Sequence, residues 1–232
     1  MSALLLPVAM VQGRRFMATT TMAPPAAGRP SGTVGVGDSP PLRLTVLGDS
    51  MAAGHGVANH DEGIAAQLAQ ILADRWGRQV TWTTIGQFGA TTRRIRHRLL
   101  PTVAASCDVA VLMAGGNDVL ARRSLTQSRV DYAAILDALT ARAERVVAFG
   151  VPPFRSFPSL PWALSRYLSA RGHRFDAMAH DLCWERNVEW ISASVALDAS
   201  FFARDGFHPR ASGYRFIAAT IAKTLDVVGA ST

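Results

Sequence analysis

An α/β protein, with a five-stranded parallel sheet covered by helices on both faces, is predicted by three features of this sequence. Short apolar, β-branched runs alternate with helix-period segments, the order that builds parallel sheets. The first three of those runs stop at glycine, at Gly48, Gly86 and Gly115-Gly116. Apolar residues make up 49% of the 232 positions and charged residues only 18%, against roughly 25% charged in an average soluble domain. A chain of this length and composition buries one sizeable core.

The elements follow in order. Leu42–Leu47 is an apolar run ending at Gly48 and reads as a buried strand. Asp61–Trp76 carries Ile64, Leu68, Ile71 and Leu72 at helical spacing and stops at Gly77. Gln79–Ile85 alternates around Val80, Trp82 and Ile85 as a second strand. Thr91–Leu100 reads as a basic helix halted by Pro101, and Asp108–Met113 as a third strand. Val130–Ala143 is helical, Arg145–Phe149 is the fourth strand and Val188–Ile191 a short fifth. Ala211–Val227 closes the chain as an amphipathic helix.

Residues 1–41 have a different character. An apolar start, Ala3–Val11, leads into Arg14-Arg15, and Ala18–Pro41 then holds five prolines and four glycines, a linker composition. The domain is therefore expected over 42–232, preceded by an arm and linker. The arginines follow the apolar stretch, the reverse of a secretory signal, and no apolar run approaches the about 20 residues of a membrane span. The expected location is cytoplasmic, with weak peripheral membrane contact through residues 3–11 as the alternative. Cys107 and Cys183 are too few for a disulfide framework and read as buried thiols. The net charge of +7 rests on arginines spread along the chain. Their densest cluster, Arg93, Arg94, Arg96 and Arg98, has no interleaved aromatics to stack bases, so no nucleic-acid partner is expected.

In a parallel sheet, ligands bind beyond the carboxyl ends of the strands, so chemistry should follow strands. The first strand ends in Gly48-Asp49-Ser50, a turn that exposes a serine hydroxyl at a helix start. A second Gly-Asp-Ser, Gly37–Ser39, has no strand before it and two prolines after it, and reads as linker. The second strand ends in Gly86-Gln87-Phe88-Gly89-Ala90, the third in Gly115-Gly116-Asn117-Asp118. A serine beside a glycine N–H and an asparagine amide assembles the parts of an oxyanion hole. Before the last helix stands Asp205-Gly206-Phe207-His208-Pro209. There His208 can serve as a base if Asp205, three residues back, fixes its tautomer.

These blocks resemble the SGNH hydrolases, the GDSL esterase/lipase superfamily, across roughly Leu42 to Val227. The resemblance implies a three-layer α/β/α, flavodoxin-like fold. It also implies Ser50 as nucleophile, His208 as base and Asp205 as orienter, with Ser50, Gly89 and Asn117 forming the oxyanion hole. Gly86 competes with Gly89 for the middle donor, because Phe88 stands where the family often has a small polar residue. The expected reaction is hydrolysis of short- to medium-chain or acetyl carboxylic esters, small or lipid-like, through an acyl-serine intermediate with no metal or organic cofactor. An acyltransferase or thioesterase using the same triad is one alternative, and a non-catalytic anion- or nucleic-acid-binding module another. His55, His60, His97, His173 and His180 show no metal-ligand spacing. The segment Val151–Trp162, with four prolines, starts at the carboxyl edge of the sheet. Phe154, Phe157 and Trp162 are its candidate acyl-binding wall, with Arg155 at the mouth.

Overall fold

The structure, a computed structural model, describes residues 5–193 and 199–229. Six strands form one sheet: β1 (Ser31–Val34), β2 (Leu42–Gly48), β3 (Val80–Gly86), β4 (Cys107–Met113), β5 (Ala143–Phe149) and β6 (Glu189–Ile191). Their spatial order is β1-β3-β2-β4-β5-β6. The five from β2 onward are all parallel, in the doubly wound order expected. The sixth strand corrects the expected five. β1 pairs antiparallel with β3, Ser31 opposite Thr83 and Val34 opposite Val80. Its sequence has linker composition, and Gly32 and Gly35 break any apolar run. Gly32 is nonetheless required there, since a Cβ would lie 2.8 Å from the Trp82 ring packed on it.

Helices cover both faces. On one, α2 (Ile64–Trp76) and α7 (Ala211–Gly229) pack over Leu44, Val46, Val109 and Val111. On the other, α5 (Leu125–Thr140) and α6 (Trp162–Trp184) pack over Leu47, Ala110, Leu112 and Ala148. From Val109 to Met113, alternate residues of β4 feed opposite cores, the period-two rule for a sheet buried on both faces. The segment expected as one basic helix is a single turn, α3 (Thr92–Arg94), followed by a π turn over Ile95–Leu99 and a 3₁₀ turn at Leu100–Thr102. Asp118 accepts from both the backbone N and the hydroxyl of Thr92. That network ties down the start of the segment. The remaining short helix is α4 (Gly116–Leu120).

The N-terminal segment is part of this body. Helix α1 (Leu5–Thr19) lies on α6, burying Ala9 and Phe16 while Gln12 Oε1 accepts from the backbone N of Leu164 at 3.0 Å. Leu6, Val8, Val11 and Met17 remain exposed; residues 3 and 4 of the apolar start lie outside the described residues. No helix among the described residues is long and apolar enough to cross a membrane. Both cysteines are buried and unpaired, and burial pushes the Cys183 thiol up to about 12.

Candidate active site

The carboxyl ends of β2, β4 and β5 open into a narrow, mostly apolar cleft. Ser50 stands at its floor on the turn that follows β2. A helix was expected to start at this serine. Instead Ala53 N bonds Asp49 O at 3.0 Å and His55 N bonds Ser50 O at 3.0 Å, one wide turn. Gly54 and Gly56, at φ +69° and +98°, then redirect the chain, and regular helix begins only at Ile64. The turn lies against β3 because residue 86 is glycine: a Cβ there would fall 2.2 Å from Ala53 N. Gly86 thus has a packing role.

Ser50 Oγ lies 3.0 Å from His208 Nε2, and His208 Nδ1 lies 2.7 Å from Asp205 Oδ2. The carboxylate partner assigns the proton to Nδ1, which leaves Nε2 to accept from the serine hydroxyl. Asp205 Oδ1 accepts from the backbone N of Phe207 and His208, both at 2.9 Å, and Oδ2 accepts from Ala23 N at 2.9 Å. Burial alone would push this carboxyl up. The His208 imidazole and three backbone N–H groups instead hold it well below the usual carboxylate range. All three residues are buried. A relay of this geometry can withdraw a proton from Ser50 and hold the resulting imidazolium beside a permanent carboxylate.

Asn117, at the start of α4, donates from Nδ2 to Asp49 Oδ2 at 3.2 Å, while Asp49 Oδ1 accepts from Met51 N at 3.0 Å. Asp49 therefore ties the serine turn to the asparagine that follows β4. Its burial pushes its carboxyl up to about 6. A carboxyl whose folded pKa lies above its unfolded value near 4 favours the fold below that value and loses this contribution as pH rises through 6. Asp49→Asn should therefore gain stability relative to wild type between about pH 4 and 6, and hold a constant difference above. Melting temperatures of the pair across that range test this. A pH-independent difference would remove Asp49 as the titrating group.

A second buried network holds the turn after β3 against the start of α4. Asp118 accepts from Thr92, Ser128 Oγ and Arg123, and Arg123 also pairs with Asp131 at 2.7 Å. It anchors the turn after β3 beside α4. Gly89 sits on that turn with φ +68°, outside the cleft lining. Its neighbour Phe88 stacks on the His55 ring at 5.0 Å, and His55 in turn lies 5.1 Å from His208.

Of the expected acyl wall, Phe154 and Phe157 line the cleft, stacked on each other at 5.5 Å. Trp162 does not. It opens α6 at 63% exposure, with the Arg166 guanidinium 5.7 Å over its ring. Pro161 starts the helix there, and the inward positions fall to Ala163 and Leu164. Arg155 is exposed on the 3₁₀ turn between the two phenylalanines. Sequence reasoning missed Phe149, Phe201, Phe202 and Phe207, which complete the apolar lining. Their spacing has no period, and only the fold gathers them. It also passed over His55 as a partner of the site. Among the described residues no group of three or more His, Cys, Asp or Glu is placed to hold a metal ion.

Fold and site together define the class: a three-layer α/β/α protein with Ser50, His208 and Asp205 hydrogen-bonded in series at the carboxyl edge of its sheet. The model of the GDSL-like lipase/acylhydrolase family matches residues 46–216, and the chain belongs to that family. It is 28% identical over 186 residues to a GDSL-like esterase of Mycobacterium tuberculosis, a match covering 76% of this chain. The chain spans 59% of the length of that curated relative. Among solved structures, that of TesA is 24% identical with a TM-score of 0.63, covering 79% of this chain and 97% of that one. A family 3 carbohydrate esterase of Clostridium thermocellum is 18% identical with a TM-score of 0.61, covering 82% and 98%. Both structural likenesses establish the fold.

Proposed function

We propose that this protein hydrolyses carboxylic esters through an acyl-serine intermediate. Ser50 attacks the acyl carbon. His208 takes the serine proton at Nε2 and delivers it to the departing alcohol, and Asp205 holds the imidazole. Water then repeats the sequence on the acyl-enzyme and releases the acid. The observation that carries this reading is the unbroken chain Ser50 Oγ, His208, Asp205, at 3.0 and 2.7 Å, opening into an apolar cleft.

We assign the oxyanion that forms on attack to the backbone N–H groups of Ser50 and Gly89 and the Asn117 amide; Ser50 and Asn117 line the cleft, and Gly89 is carried by its match to the family's second block. Asn117 lines the cleft beside Ser50, and its tether to Asp49 fixes the amide before substrate arrives. Asn117→Ala should lower kcat by about 10²–10³ with KM little changed, measured on an activated ester. An unchanged kcat would take Asn117 out of the oxyanion hole.

Phe157 is the hub of the wall, with Phe154, Phe202 and Phe207 ring centroids within 5.0–5.5 Å. Each methylene buried against such a wall contributes about 0.8 kcal/mol, until the cleft is full. Short- to medium-chain acyl esters are therefore the substrate class. A p-nitrophenyl ester series of two to twelve carbons tests both reaction and pocket. Wild type should show an optimum that Phe157→Ala shifts toward longer chains, and an identical profile in the two proteins would exclude Phe157 from the acyl site. No hydrolysis of any member would overturn the esterase reading itself.

A further inference from the structure

The segment that precedes the family match at residue 46 supplies two of the contacts that hold the relay. Residues 20–30 cross the molecule as a strap fixed at both ends. At one end α1 is seated on α6 by Phe16 and Gln12, and Phe16 lies against Phe207, the neighbour of His208, at 6.2 Å. At the other end, Ala27 N donates to Ala58 O, His60 N donates to Ala27 O, and Thr84 N donates to Pro30 O at 2.8 Å, just before β1 joins the sheet. Between these anchors, the peptide groups of one residue point into the site. Ala23 N donates to Asp205 Oδ2 at 2.9 Å, and Ala23 O accepts from His55 Nδ1 at 2.7 Å.

We propose that the backbone of Ala23 is a positioning element of the catalytic relay, so that seating the N-terminal strap and completing the active site are one event. The inference rests on the serine-esterase reading and adds to it a part that lies outside the family's matched region. The argument is geometric. Asp205 Oδ1 is held by two N–H groups of its own turn, but Oδ2, the oxygen that orients His208, has only Ala23 N beside the imidazole itself. Without that donor, Oδ2 keeps only the imidazole as partner and the carboxylate plane is held from the Oδ1 side alone, so the direction of the imidazole toward Ser50 is less tightly fixed. The Ala23 carbonyl acts on the opposite side. It pins His55, whose ring lies against both Phe88 at 5.0 Å and His208 at 5.1 Å, and Tyr214 Oη donates to the His55 carbonyl at 2.7 Å. One exposed strap thus braces both the carboxylate behind His208 and the ring beside it. Catalytic geometry of this kind depends on such supporting contacts.

The contact is made by the peptide and not by the methyl group, which makes the test specific. Residues 20–26 are non-helical; Ala23→Pro removes the N–H and sets a Cδ in its place against Asp205 Oδ2, so the contact is lost outright. Losing a hydrogen bond to a charged group is expected to lower kcat by about tenfold to hundredfold, with KM within about twofold, and to leave a cooperative melt. The conservative variant Ala23→Gly keeps both peptide groups and should restore kcat. A kcat of Ala23→Pro within about twofold of wild type would overturn the proposal, while wild-type turnover would leave the esterase reading standing. If Ala23→Pro fails to fold, His55→Phe decides: it keeps a stacked ring and removes the bond to Ala23 O. A fall in its kcat of at least about threefold at unchanged KM and melting temperature supports the brace, and an unchanged kcat overturns it.

Discussion

Ser50→Ala is expected to abolish ester hydrolysis to within about one part in 10⁴ of the wild-type rate while leaving the fold intact. The size follows from the relay acting as a unit: once the attacking oxygen is gone, His208 and Asp205 have no proton to move, and only binding and oxyanion contacts remain. The structural cost is small. Ser50 Oγ makes one described hydrogen bond, to His208 Nε2, and losing it costs about 1 kcal/mol. Rates on a p-nitrophenyl ester with melting curves of both proteins make the measurement. Retention of more than about a hundredth of the wild-type rate in a folded variant would contradict the assignment.

Asp205→Asn should cost about 10⁴ in kcat, through the tautomer rather than through shape. The four donors around the carboxylate are the backbone N–H groups of Ala23, Phe207 and His208 and the imidazole Nδ1–H. An amide can offer its oxygen to only one side of that shell. Its NH₂ must face donors on the other, and turned toward His208 it forces the proton onto Nε2, where Ser50 needs an acceptor. The same substitution has a pH-dependent stability signature. A carboxyl depressed in the folded state stabilises the fold above its unfolded pKa near 4 and loses that contribution as pH falls toward its folded value. The variant should therefore melt below wild type at pH 7, with the gap closing as pH drops under about 4. Equal activity in the two proteins would show that Asp205 does not orient the base.

Five parallel strands, and the placement of Ser50 and Asn117 just after two of them, were legible in the sequence for one physical reason. A parallel sheet buried on both faces needs continuous apolar runs, and chemistry placed at its carboxyl edge falls directly after them, as Ser50 and Asn117 do. His208 and Asp205 were legible through their three-residue spacing before a helix. Parts that depend on distant segments were not. β1 is too short and glycine-rich to show a period, yet it pairs because Gly32 accommodates Trp82. Helix α6 was missed because its inward face, from Ala163 through Leu168 and Phe175 to Leu182, is interrupted by Ser165, Ser169 and Gly172. Trp162 resembled a pocket residue by its place in a proline-rich loop, but the first turn of a helix sends it to solvent. Ala23 carries no side-chain chemistry at all. Only its backbone enters the site, a role that residue type cannot announce.

The central claim is that Ser50 is the activated nucleophile of this fold, and covalent labelling tests it most directly. The wild-type protein is incubated with a fluorophosphonate probe, and the intact mass and modified peptide are then measured. One adduct per chain, on Ser50, absent from Ser50→Ala and strongly slowed in Asp205→Asn, is the predicted result. A folded wild-type protein that takes no adduct, or takes it on another residue, would contradict the account.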